Sequence, residues 1–401
     1  MKGFSLVQWG IIFILALLTA LEPLSIDLYL PGFIMISEAF GTDVASVQIS
    51  LSTFLAGFAV GQLIWGPLAD KFGRKKPILV SLLIFIIASI ACIYVRTVEQ
   101  LWVVRFIQAI GGCAGVVISR AIVTDYFDKS NTLKIFALLA LIMGIAPILA
   151  PSIGNGVLHA FSWEGLFGAM AVLGVLLFLL TLLFLPETHK DRDVATKTNV
   201  VKDYLSILKN KRFTIYSVIA GIVNGALMIY VANGPFLIME KGGFSSDMFS
   251  IIFAINAGGL MVGSYITTTL QKRIPTNKLV KQAILMMTAM GAVLLAAMYM
   301  NFGMPVILFI LFFYIFPIGV LFPTTTELAI TPFAGTSNSG TASALFGSIQ
   351  LAVAFVCTVI SGIISNGTIV AVGITFFLCS ALAFVIVFSK IKLDTEVIEA
   401  R

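Results

Sequence analysis

Few residues in this chain can do chemistry, and they stand out against their surroundings. Of 401 residues, 11% are charged and 59% are hydrophobic, against roughly 25% and 45–50% in soluble proteins. With the polar loops set aside, the ionisable groups left in apolar runs are Glu22, Asp27, Arg105 and, near a run's end, Glu327. Placing such a group at the centre of a membrane helix costs about 2.5–3.5 kcal/mol on insertion scales, so each is a functional candidate. A carboxyl in poorly solvated surroundings can load and release a proton near neutral pH. Asp27 is the first choice for that task, because Pro23 and Pro31 flank it and a broken helix admits water and exposes backbone. Glu22, which sits deeper in the run, is its rival. The two side chains point about 140° apart on a regular helix, so they share a face only if Pro23 turns one of them. If both matter, their protonation is coupled. Arg105 stays charged and cannot carry the proton itself.

Other chemistries are poorly supplied. His159 and His189 are the only histidines, which argues against a histidine metal site. There is no Gly-x4-Gly-Lys-Ser/Thr loop, so ATP-driven work by this chain alone is not expected, and no cofactor is implied. Cys92, Cys113, Cys357 and Cys379 lie inside apolar runs and read as small packing residues. The formal charge of +6 is concentrated in loops and does not suggest nucleic acid.

These residues are positioned by membrane helices. On a ruler of about 20 residues per span, the apolar runs predict twelve helices at roughly 8–32, 45–67, 77–95, 100–124, 133–158, 164–185, 213–239, 247–270, 278–300, 304–328, 339–364 and 368–389. The fold class is thus all-α and polytopic, with two six-helix bundles at 1–185 and 213–401 joined by a polar linker at 186–212. Within the linker, residues 201–208 read as a short amphipathic helix. The basic residues fall almost wholly on one side of this map: Lys2, the 71–76 cluster, Arg120, Lys129, Lys134, the 190–212 loop, Lys272, Arg273, Lys278, Lys281 and the tail from Lys390 to Arg401. Only Arg96 and Lys241 oppose them. That asymmetry predicts both termini and the linker in the cytoplasm. The halves echo each other: Gly57 and Gly61 precede Asp70 as Gly259 and Gly263 precede Lys272. Gly-x3-Gly spacing suits close helix packing.

Gly66-Pro-Leu-Ala-Asp-Lys-Phe-Gly-Arg-Lys-Lys-Pro77 packs five charges into seven residues. Gly66, Pro67 and Gly73 are expected to break helix there. Asp70, Arg74 and Asp125 form a candidate gating cluster, a latch that water can loosen. Candidates for the substrate site are Tyr29, Phe33, Asn224, Tyr230, Asn233, Phe236, Asn256 and Gln350, a mostly apolar set with a few polar groups.

The 66–77 stretch resembles the loop between helices 2 and 3 of major facilitator superfamily transporters, G-x-L-A-D-[RK]-x-G-R-[RK]-[RK]. Leu101-x3-Arg105-x2-Gln108 with Gly111 and Gly112 is similar to that family's helix 4 motif, with Ala109 in place of a usual Gly. Ala146-Pro147 and Ala150-Pro151-Ser-Ile-Gly154 resemble the antiporter motif G-P-x2-G-G, with Ala150 and Asn155 as departures. Pro23-Leu-Ser-Ile-Asp27-Leu-Tyr-Leu-Pro31, Gly234-Pro235-Phe236 with Glu240, Phe253-Ala-Ile-Asn256, and Ala334-Gly335 with Gly340-Thr-Ala-Ser-Ala-Leu345 resemble the Bcr/CflA (bicyclomycin-resistance) drug-efflux subfamily. The resemblance implies a major facilitator fold and a drug:proton antiporter exporting small organic molecules by alternating access in a bacterial inner membrane. It further implies that Arg105 tunes a nearby acid, that Gly57, Gly61, Pro147, Pro151 and Gly154 shape helix packing, and that Asp70 faces the helix 11 entry near Gly340. The partners are then a small-molecule substrate, protons and the bilayer. A monomer suffices, since both halves share one chain. Two other classes share these features less well: a proton-symporting importer or uniporter on the same fold, and a non-transporting scaffold or sensor.

Overall fold

The computed structural model describes residues 4–188, 200–333, 339–365 and 367–390, which build helices and, among the described residues, no strand. The chain divides into two compact units, Met1–Val200 and Val201–Arg401. Twelve helical segments are long and apolar enough to cross a membrane. Residues 189–199 of the expected linker and the 391–401 tail lie outside the described residues.

In the first unit, α1 (Leu6–Asp27) opens with a capping box: Ser5 N donates to Gln8 Oε1 at 2.9 Å and Gln8 N to Ser5 Oγ at 3.3 Å. It passes through Pro23 and stops at Asp27. A 3-10 turn at Leu30–Gly32 then leads into α2 (Phe33–Phe40), which Gly41 closes with φ at +62°. The expected first helix, ending near Pro31, is therefore a broken span reaching Phe40. The break falls at Asp27, and Pro23 upstream does not interrupt the helix.

α3 (Val44–Phe72) starts on Asp43, whose carboxylate accepts from Ser46 N at 2.7 Å. The structure corrects the expected break at Gly66 and Pro67, for the helix runs through both to Phe72. A proline removes one N–H, and membrane helices re-satisfy what it frees. What ends α3 is Gly73, at φ +88°, a conformation most side chains avoid.

α4 (Lys75–Ile93), α5 (Val98–Tyr126), α6 (Lys129–Ala160) and α7 (Trp163–Phe184) complete the unit. α3 lies tightly along α5: a Cβ on Gly57 would stand 2.2 Å from the Phe106 carbonyl oxygen, and one on Gly61 2.9 Å from Cys113 Cβ. Two indoles pin the same pair, Trp65 Nε1 donating to Ile110 O at 2.7 Å and Trp102 Nε1 to Ser46 O at 2.8 Å. Gly111 brings α5 against α4 at Phe85. α6 continues through Pro147 and Pro151. Its Gly154 presses on the end of α1, where a Cβ would meet the Leu28 carbonyl oxygen at 1.8 Å.

The second unit holds α8 (Val200–Leu208) from its second residue on, α9 (Lys211–Gly234), a π-helical segment at Pro235–Lys241, α10 (Ser246–Leu270), α11 (Thr276–Tyr299), α12 (Met304–Ile330), α13 (Ser339–Ile364) and α14 (Ile369–Lys390). α9 packs along α13, and α12 packs against both α10 and α11. α10 meets α12 through Gly259, which faces the Phe312 ring, and Gly263, which faces the Phe316 carbonyl oxygen. The α3–α5 contact of the first unit is thus built again from the paired glycines of α10.

Candidate functional site: a buried arginine at a broken helix, and a charged cluster

The break after Asp27 leaves the Ser25 carbonyl among the last of α1, without a partner further along the helix. Arg105 of α5 takes it, its Nη2 donating to Ser25 O at 2.9 Å. Its Nη1 donates to Gln108 Oε1 at 2.6 Å, and Gln108 Nε2 passes the chain on to Ser89 Oγ of α4 at 2.7 Å. Arg105 is 0% exposed, so it does not snorkel to an interface. Aromatic faces surround it: the guanidinium carbon lies 4.3 Å from the ring centroids of both Tyr29 and Phe54, and 5.9 Å from that of Phe167. Tyr29 is held by Ser50 Oγ at 3.2 Å and packs on Phe33. Both rings are wholly buried, so two candidate substrate residues form part of the packing around the arginine.

Asp27, the last residue of α1, is 4% exposed, and Glu22 is half-buried. Among the described residues neither acid makes an ion pair, and the Nη donors of Arg105 go to an amide and a carbonyl while its Nε has no partner. Glu22 interacts electrostatically with Asp27 and with Arg120 of α5. Glu327 sits at the end of α12, exposed, and accepts from Gln271 Nε2 at 2.6 Å.

At the Phe72 end of α3 the charged loop is tied by ion pairs. Arg74 donates from Nη1 to Asp70 Oδ1 at 2.6 Å and from Nε to Asp125 Oδ2 at 2.8 Å. Burial opposes its charge, but the hydrogen bonds to Asp70 and Asp125 outweigh that and hold its pKa above the ordinary arginine value. Sequence reasoning missed a fourth member. Glu187, just past α7, accepts from Arg74 N at 2.9 Å and from Lys75 N at 3.3 Å, and so caps the start of α4. A carboxylate on exposed first-turn N–H groups is favoured by the helix dipole. The one available signal was an acid directly after a Pro that follows the sixth apolar run. Gly340 lies in the first turn of α13, and its surroundings are outside the described residues.

In the second unit Tyr230 and Asn256 come together, Asn256 Nδ2 donating to the Tyr230 hydroxyl at 3.0 Å, while Tyr230 stacks on Phe253. Asn233 turns elsewhere, donating to Ile229 O at 2.9 Å and to Ser361 Oγ at 3.3 Å. Phe236 is buried, with Lys241 Nζ 5.2 Å from its ring centroid. Asn224 is buried and Gln350 half-buried. The eight candidate substrate residues therefore do not form one cluster within either unit.

Residues 15–358 match the Major Facilitator Superfamily. The chain belongs to that superfamily. Its relatives include the "Bicyclomycin resistance protein homolog" of Haemophilus influenzae, 29% identical, with 85% of this chain and 86% of that protein covered. They also include the "Multidrug transporter MdfA" of Edwardsiella ictaluri, 30% identical, with 81% of this chain and 79% of that protein covered. The solved structure of a D-xylose-proton symporter shares the fold, with a TM-score of 0.79, 13% identity, 95% of this chain and 96% of that one covered. This major facilitator protein is thus a multi-pass membrane transporter of small molecules and not an enzyme, and it resembles the Bcr/CflA drug transporters as its motifs imply.

Proposed function

We propose that the chain is a proton-coupled exporter of small organic molecules, working as a monomer by alternating access in a bacterial inner membrane with both termini in the cytoplasm. The observation that carries the reading is the pair of acids on α1, Glu22 and Asp27, which make no ion pair among the described residues, on a helix whose Ser25 carbonyl accepts from the buried Arg105. Two carboxyls that interact with each other and that, among the described residues, make no ion pair are suited to sharing a travelling proton. Arg105 supplies a fixed positive charge at the broken end of the same helix. It biases Asp27 toward release when substrate arrives. Inward proton movement is then helped by the membrane potential, about 2.3 kcal/mol per charge per 100 mV. The Asp70–Arg74–Asp125 latch, braced by Glu187, closes the cytoplasmic face during part of the cycle. The homolog and transporter named above support the drug-export direction, since both are resistance or multidrug proteins by name.

Proton release from energised everted vesicles on adding candidate drugs tests this, with the unmodified chain beside Asp27→Asn and Glu22→Gln. Release by the unmodified chain that Asp27→Asn abolishes is the expected result. Loss with Glu22→Gln alone moves the proton to Glu22. Drug movement that is indifferent to pH, or accumulation in the importing direction, overturns the reading.

A further inference from the structure

Two of the four cysteines face each other inside the Val201–Arg401 unit. α13 and α14 form a helical hairpin in which Ser361 Oγ donates to Thr375 Oγ1 at 3.3 Å. Cys357 stands one turn before Ser361 on α13, and Cys379 one turn after Thr375 on α14. In an antiparallel pair those two steps run in the same direction, so the thiols meet in the next layer. α9 closes the third side: a Cβ on Gly225 would stand 2.7 Å from both Cβ and Sγ of Cys357, so the sulfur has its place because residue 225 has no side chain. Cys379 is buried and Cys357 half-buried. The other thiols are placed differently: Cys92 is on α4, and Cys113 on α5 donates to Phe58 O at 3.4 Å.

We propose that Cys357 and Cys379 are a dithiol modification site, closed to an intramembrane disulfide by a lipid-soluble two-electron acceptor of the quinone or diazene class. Two S–H bonds break and one S–S bond forms. Both electrons and both protons pass to the acceptor, which leaves as the hydroquinone or the hydrazine. A disulfide needs Cα atoms about 4.4–6.8 Å apart, closer than most helix pairs come. The Ser361–Thr375 hydrogen bond one turn away shows that α13 and α14 run close together at this junction. The closed form ties α13 to α14 within one unit and is reopened by a dithiol reductant. This inference does not depend on the transport reading.

The test uses the full chain in membranes treated with a diazene dicarboxamide, then denatured, alkylated with a maleimide and weighed. Untreated chain takes four labels, one per cysteine. Treated chain is expected to take two, to weigh less by two hydrogens before alkylation, and to yield a linked peptide pair carrying residues 357 and 379. Dithiothreitol restores four labels. Cys357→Ser and Cys379→Ser, or the alanine variants, each keep three labels after treatment. Four labels on treated wild-type chain overturn the site. So does equal thiol loss in the single variants, or a link that joins two chains.

Discussion

At the scale of single residues, the membrane sets the terms. A buried guanidinium needs partners for its donors and its charge spread, and Arg105 finds them without a carboxylate: Nη1 and Nη2 rest on one amide and one helix-end carbonyl, three ring faces surround it, and among the described residues Nε alone is left unpartnered. Its planar fork matters here, because a lysine ammonium is a point charge that cannot reach Ser25 O and Gln108 from between two rings in the same way. Arg105→Lys is therefore expected to leave a folded protein that transports about tenfold more slowly or worse, equivalent to one charge-assisted hydrogen bond of about 1.5 kcal/mol. Arg105→Ala, which strands Gln108 and the Ser25 carbonyl, should lower the thermal unfolding temperature in detergent more than Arg105→Lys does. Equal transport by the lysine variant would show that only charge is needed. Arg105, Glu22 and Asp27 stood out in the sequence as candidates because an ionisable group in an apolar run is costly. The arginine's partner did not. Which carbonyl is free depends on the residue at which α1 stops, and that is set by packing of α6 on the helix end through Gly154 as much as by local propensity.

At the scale of elements, the 66–77 stretch shows how a motif can be recognised while its geometry is misread. Three helix breakers were visible, yet only Gly73 breaks the helix. Gly66 is helical with nothing within 4 Å of a Cβ built on it, whereas a Cβ on Gly73 meets a left-handed φ and the Glu187 carboxylate at 2.5 Å. The two glycines should thus answer oppositely to the same change. Gly66→Ala is expected to be neutral or to stabilise by up to about 1 kcal/mol. Gly73→Ala should destabilise by about 1–2 kcal/mol from backbone strain alone, and loosen the cap that Glu187 places on Arg74 N and Lys75 N. Thermal shift measurements on the purified variants separate them, and matching shifts would contradict the assignment of Gly73 as the terminator. Glu187 escaped sequence reasoning for a related reason: its partners lie more than a hundred residues away, and the proline before it does not say which N–H groups it caps.

At the scale of the whole molecule, the faint echo between the halves becomes a repeated contact with different tolerances. α3 meets α5 at Gly57 and Gly61, and α10 meets α12 at Gly259 and Gly263. In both units the paired glycines let two helices approach at one place, as expected of a fold built from repeats. The partner atoms differ, however, and they decide what each contact will bear. A Cβ on Gly57 would lie 2.2 Å from the Phe106 carbonyl oxygen, a backbone atom that cannot move without α5 moving. A Cβ on Gly259 would lie 2.7 Å from the edge of the Phe312 ring, which can rotate away. Gly57→Ala should therefore push α3 off α5 and destabilise by about 1–3 kcal/mol, the usual range for overpacking a filled interface. Gly259→Ala should be tolerated to within about 1 kcal/mol, because a side chain and not a backbone gives way. Parallel thermal unfolding of the two variants tests the ranking. If Gly259→Ala proves the more damaging, the ring of Phe312 is locked, and the second unit depends on its glycine contact as strictly as the first.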